Sequence, residues 1–206
     1  MKITFIGDSI REQYTPRVQE LLGDGYEVWQ PGENCRFAKY IYRGLFDWTR
    51  YMQGSDIIHF NCGLWDACNL FGEGSFSSED EYVRDVLRVV DMMKKRYGAT
   101  LVFATTTPAL STNKFYDAGI VDRFNSIIVP KLEERGVLIN DIGSLVASDA
   151  PKYIRDDGVH LSEEGIEACA LYIAELVKSI AQNLSESERT EQGEAGDTTG
   201  APVLIK

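Results

Sequence analysis

The chain has 206 residues, 44% of them hydrophobic, which suits one globular domain with a sizeable core and a short appendage. Its formal net charge of −11 repels phosphate backbones and anionic headgroups, so nucleic acid and membrane surfaces are not expected partners. No stretch approaches the roughly 20 apolar residues of a membrane span, and Met1-Lys2 runs straight into a strand pattern with no signal-peptide h-region, so the expected location is cytoplasmic.

Apolar runs that read as buried strands lie at Ile3–Ile6, Tyr26–Trp29, Asp56–Asn61, Thr100–Thr105 and Val137–Asn140. Between them come segments with helical spacing. Thr15 to Leu22 carries Val18, Leu21 and Leu22, and Arg36 to Met52 places Phe37, Tyr40, Ile41, Leu45 and Trp48 on one side. Glu79 to Tyr97 repeats apolar residues through Val83, Val86, Leu87, Val90 and Met93, and Asp117 to Arg135 does so through Ile120, Phe124, Ile127, Ile128 and Leu132. Gly98 and Gly136 stand where two of these helices should stop in left-handed caps. A last helix is predicted from Ser162 to about Asn183.

Regular strand–helix alternation predicts an α/β fold, a parallel sheet with helices on both faces, because each crossover must return over the sheet. This domain is expected to span residues 1–183. Residues 184–206 read as an acidic, low-complexity C-terminal tail: Ser185 to Gly200 has almost nothing apolar and is expected to be disordered. The tail accounts for only −3 of the net charge, so the body is itself acidic.

Ser9 sits just past the first strand, in Gly7-Asp8-Ser9, at the edge where open α/β sheets place their ligands. Alone, this reads better as an ordinary helix-capping serine. Asp157-Gly-Val-His160, in a Gly-containing loop before the last helix, changes the weighting. A serine hydroxyl needs a base to become a nucleophile, imidazole titrates near neutrality, and a carboxylate must fix its tautomer. Of the two histidines, His59 lies inside an apolar strand and is expected to be structural, which leaves His160, with Asp157 three residues before it and Asp156 a competitor at poorer spacing. No Cys-x-x-Cys pattern accompanies Cys35, Cys62, Cys68 and Cys169, so reduced, mostly buried thiols and no metal site are expected. No Gly-x-Ser-x-Gly elbow, phosphate loop or dinucleotide fingerprint is present, and no cofactor is expected.

The Gly7-Asp8-Ser9 block, together with Asp157-Gly-Val-His160-Leu-Ser-Glu-Glu-Gly165, resembles the SGNH (GDSL-type) hydrolase superfamily over roughly residues 1–183. Thr105-Thr-Thr-Pro108, Phe124-Asn125 and Val137-Leu-Ile-Asn-Asp141 fit the same pattern. The resemblance implies a flavodoxin-like three-layer α/β/α sandwich around a five-stranded parallel sheet. It also implies serine esterase chemistry, with Ser9 as nucleophile, His160 as base and Asp157 as its partner.

The middle blocks depart from the family pattern. The family supplies a glycine N–H after strand two and an asparagine side chain from Gly-x-Asn-Asp after strand three, both donated to the oxyanion. Here Gln30-Pro-Gly-Glu-Asn-Cys-Arg36 leaves Cys35 or Gly32 as the backbone donor beside Ser9's own N–H, with Asn34 a weaker substitute. His59-Phe-Asn-Cys-Gly-Leu-Trp-Asp66 puts Trp65 at the asparagine position and offers Asn61 as a relocated donor; Asn61 reads equally as the end of a strand. This Asn-x-Gly-x-Trp arrangement resembles a divergent branch that includes polysaccharide O-acetyl esterases.

Asp8 and Trp65 are candidate substrate contacts. Tyr14, Trp29 and Trp65 could stack on a sugar or fill the core. Arg11 and Arg36 could bind a substrate anion or form surface ion pairs, and residues 66–78 could be a lid or a surface loop. The reading is an esterase acting on a small acyl ester, such as O-acetyl on a carbohydrate. The alternative is a non-catalytic carbohydrate- or acyl-binding domain on the same scaffold.

Overall fold

The computed structural model describes residues 1–196. β1 (Lys2–Ile6) leads into α1 (Ser9–Leu22), β2 (Glu27–Trp29), α2 (Ala38–Asp47), α3 (Thr49–Met52) and β3 (Ile57–Phe60). The chain continues through α4 (Leu64–Ala67), α5 (Glu79–Tyr97), β4 (Thr100–Ala104), α6 (Ala118–Glu133) and β5 (Leu138–Asn140). It closes with α7 (Ile142–Ala147), α8 (Ala150–Tyr153) and α9 (Glu163–Gly196).

The described strands form one five-stranded parallel sheet in the order β2-β1-β3-β4-β5. With α1 packed on α9 and α2 on α5, helices flank the sheet in a three-layer α/β arrangement. The middle strands are covered on both sides, which is why they read as continuous apolar runs: Ile3, Phe5, Ile6, Ile57, Ile58 and Phe60 are all fully buried. The chain steps outward from β1 to β2, then crosses back to β3. That reversal opens a crevice beyond the carboxyl ends of β1 and β3, the usual ligand position of such sheets.

Where the elements differ from the sequence reading, the causes are local. Helix α1 begins at Ser9, six residues before Thr15, because the Asp8 side chain caps it and Arg11 is turned inward at 1% exposure. The segment 36–52 breaks at Trp48 into α2 and α3, and the Trp48 ring lies across Gly44, where a Cβ would meet it at 2.2 Å. The last helix runs on to Gly196 instead of ending near Asn183. Leu184 still packs against the core, and the Ser/Glu/Arg/Gln sequence beyond it lacks proline and keeps fair helix propensity. The stretch expected to be disordered, 185–200, is described as helix through Gly196, and its remainder lies outside the described residues. Among the described residues no helix is long and apolar enough to cross a membrane.

Candidate active site

Ser9 is the first residue of α1. Asp8 is the cap: its Oδ1 accepts the Ile10 N–H at 3.0 Å, so Ser9 is free of that role. As the first helical residue, Ser9 has no intrahelical acceptor for its own N–H. On the far side of the crevice, Gly158 has φ +77° and turns the chain so that Asp157 Oδ1 accepts the N–H groups of both Val159 and His160, each at 2.9 Å. That closed turn aims the carboxylate and the imidazole the same way.

The two ends of the chain meet here. His160 Nε2 lies 3.0 Å from Ser9 Oγ, and His160 Nδ1 lies 2.9 Å from Asp157 Oδ2. A carboxylate at Nδ1 accepts a hydrogen bond from the N–H of that nitrogen, which leaves the Nε2 lone pair to accept the serine O–H. Burial pushes the Asp157 carboxyl up, but the N–H groups of His160 and Val159 and the His160 ring outweigh it and hold the carboxyl below its ordinary range. It therefore stands ionised beside the ring. Asp156 makes no such contact, and His59 is fully buried 3.0 Å from Asn140 Oδ1, where burial lowers its pKa to about 4.

Ser9, His160 and Asp157 open onto a cavity of ≈ 170 Å³ walled by Leu64, Trp65, Asn113, Tyr116 and Val159. Trp65 is thus where a substrate contact was expected. Asn113, Tyr116, Leu64 and Val159 escaped the sequence reading; the one available signal was their place in loops leaving the carboxyl edge, since no motif marks them. Asn113 also ties the two loops together, donating from Nδ2 to the Asp157 carbonyl at 2.8 Å.

Several expectations need correction. The Cys35 N–H donates to the Gly7 carbonyl at 3.0 Å, so it is not a free oxyanion donor. Gly32 is exposed in the same loop, and no bond ties it to the Ser9 turn. Asn34 uses its Oδ1 locally to accept the Arg36 N–H at 2.8 Å. Asp8 is wholly buried and cannot touch a substrate; burial raises its pKa, against hydrogen bonds from Asn61 and Ile10. Tyr14 is core and Trp29 stacks on Tyr51, so neither reaches the cavity. Arg11 is a buried clamp that donates to Gln30 Oε1 and to the carbonyls of Gly7, Pro31 and Glu33, stitching the 30–35 loop to the end of β1.

Asn61 lies directly under the turn. Its Nδ2 donates to Asp8 Oδ1 at 2.9 Å, and its Oδ1 fills the space that a Cβ on Gly7 would need. One Nδ2 hydrogen is left over. The blocks after β4 and β5 brace the same edge: Asn125 bonds both the N–H and the carbonyl of Thr106, and Thr105 Oγ1 donates to Asp141 Oδ1 at 2.7 Å. The 66–78 loop is pinned at its base, where Ser77 donates through Oγ to Asp66 Oδ1 and through its N–H to the Asp66 carbonyl, while Leu70 and Phe71 stay exposed.

No protein-family profile matches the chain, and no curated protein matches it by sequence. Solved structures do. An acetyl xylan esterase superposes with a TM-score of 0.73 at 20% identity, over 86% of this chain and 100% of the other. A GDSL-like lipase from Bacteroides thetaiotaomicron gives 0.69 at 15% identity, over 86% and 88% of the two chains. The chain has the SGNH-hydrolase fold. Est24, a carbohydrate acetylesterase from Sinorhizobium meliloti, gives 0.67 at 16% identity, over 87% and 99%.

Proposed function

We propose that this chain is a serine esterase that removes a small acyl group, acetyl above all, from a carbohydrate alcohol. The observation that carries the reading is the unbroken relay from Asp157 through His160 to Ser9, with contacts of 2.9 and 3.0 Å, lining a cavity of ≈ 170 Å³. Ser9 Oγ attacks the ester carbonyl as its proton passes to His160 Nε2. Asp157 stabilises the imidazolium, and His160 then returns the proton to the departing alcohol oxygen. Water, deprotonated by the same imidazole, clears the acyl-Ser9 ester.

The developing oxyanion is met by the Ser9 N–H at the positive end of α1, and by the Asn61 hydrogen that Asp8 leaves unused. A cavity of ≈ 170 Å³ with apolar walls from Leu64, Val159 and Trp65 has room for an acetyl group, which supports a small acyl substrate. The likeness to structures described as an acetyl xylan esterase and a carbohydrate acetylesterase supports a sugar as the alcohol part.

The test is turnover of p-nitrophenyl acetate by wild type and Ser9→Ala, with acetyl-Ser9 trapped by acid quench and found by mass spectrometry. Equal, slow hydrolysis by both proteins would leave the non-catalytic binding domain as the surviving alternative.

A further inference from the structure

Arg36 is the one non-glycine residue with positive φ among the described residues, at +53°. Two bonds hold it there: its N–H donates to Asn34 Oδ1, and the preceding residue's N–H donates to Gly7, two positions before the nucleophile. A bulky residue in this region stores strain that the surrounding bonds must hold in place. The result is that an exposed guanidinium is held beside Trp65. Its central carbon lies 5.1 Å from the Tyr40 ring centre and 6.0 Å from that of Trp65, and Trp65 is a wall of the cavity.

Among the described residues, no carboxylate lies within ion-pairing distance of the guanidinium. Arg17, Arg43, Arg84, Arg88, Arg123 and Arg135 all have one, as the −11 surface makes easy. The nearby carboxylate of Glu33 accepts the Tyr40 hydroxyl at 2.5 Å instead. The position thus offers a planar fork of donors, orientation fixed by two aromatic faces, and no resident anion.

Resting on the esterase reading above, we infer that Arg36 is an anion subsite: the alcohol part of the substrate carries an oxyanion, a carboxylate above all, that pairs with this guanidinium while the acyl group enters the Ser9 cavity. An acetylated sugar with an acidic group satisfies both requirements. The bidentate geometry favours a planar carboxylate over a tetrahedral sulfonate, because both carboxylate oxygens can meet parallel N–H groups. Glu33, fixed beside Tyr40, opposes binding of any anion there, so the pairing is selective without being tight.

The experiment compares kcat/KM for 4-acetoxybenzoate and 4-acetoxybenzenesulfonate, each divided by that for the neutral methyl 4-acetoxybenzoate, in wild type, Arg36→Lys and Arg36→Gln. The carboxylate ratio is expected to fall about fivefold in Arg36→Gln, chiefly through KM, the upper range for an exposed but well-oriented ion pair. Arg36→Lys should retain part of it, and the sulfonate ratio should move less. A ratio that is the same in wild type and Arg36→Gln overturns the subsite.

Salt gives a reading that needs no variant. On a protein of this net charge, screening alone lowers KM for an anionic ester by weakening repulsion, whereas a direct pair with Arg36 makes KM rise with salt. A fall in wild-type KM for 4-acetoxybenzoate on adding salt therefore counts against the subsite. Failure of the esterase reading looks different: the neutral ester is then hydrolysed no faster by wild type than by Ser9→Ala.

Discussion

Gly7→Ala tests whether the nucleophile turn is built on Asn61. A methyl at position 7 would lie 1.7 Å from Asn61 Oδ1, 2.7 Å from its Cγ and 2.9 Å from Arg11 Cβ. Asn61 has little room to retreat: it is 3% exposed, its N–H is held by the Ile6 carbonyl, and its Nδ2 by Asp8. Overpacking of this kind costs about 1–3 kcal/mol. If the side chain is driven off, the charge-assisted bond to buried Asp8 goes too, about 1.5–3 kcal/mol more. The expected loss is thus about 3–5 kcal/mol, or a Tm lowered by roughly 10 °C for a domain of this size. Urea denaturation followed by tryptophan fluorescence measures it, with an unchanged m-value to show that the folded state stays compact. In a double-mutant cycle with Asn61→Ala, the two losses should be less than additive by at least ~1 kcal/mol, because removing the side chain relieves the clash. A Gly7→Ala protein within about 1 kcal/mol of wild type, or strictly additive losses, would refute the reasoning.

Four further outcomes are expected. Asp157→Asn should lower kcat on p-nitrophenyl acetate by at least ~10², since the ring loses the carboxylate that fixes its tautomer, with the fold unchanged by circular dichroism. Asn61→Ala should lower kcat by about 10²–10³ if its spare hydrogen meets the oxyanion, and a full kcat would reduce Asn61 to a support for Asp8. Burial pushes the Asp66 carboxyl up to about 6, so its contribution to stability is present below the ordinary value of 3.8 and lost as pH rises through 6. Urea midpoints should therefore show wild type losing roughly 3 kcal/mol relative to Asp66→Asn between pH 4 and 7. His59 acts in the opposite sense: burial lowers it from 6.5 to about 4, so stability present above 6.5 is lost on acidification through 4, and His59→Asn should remove that slope.

Much of the fold was legible from short-range pattern. The Glu79–Tyr97 helix has the bounds the periodicity predicts, because a capping box of Ser78 with Glu81 opens it and Gly98, at φ +62°, closes it. The inner strands β1, β3 and β4 were legible because they are covered on both faces and so carry long apolar runs, whereas the edge strands β2 and β5 are only partly buried. The short helices α4, α7 and α8 escaped, since four to six residues are too few for a 3.6-residue period to show. Tertiary contact also overrode local character: Arg11, read from the sequence as an anion contact or a surface ion pair, is drawn inside by four oxygen acceptors.

The site divides in the same way. By itself the sequence singled out Ser9, Asp157 and His160 as the side chains proposed for the chemistry, because they lie in local turns whose shape depends on near neighbours: Asp8 caps one, and Gly158 bends the other. Only the tertiary structure decided which oxyanion donors are free, since an N–H is spent or spare according to whichever carbonyl the fold brings to it. Thus Cys35 is bound by Gly7, and Arg36, one residue on, is left exposed beside Trp65.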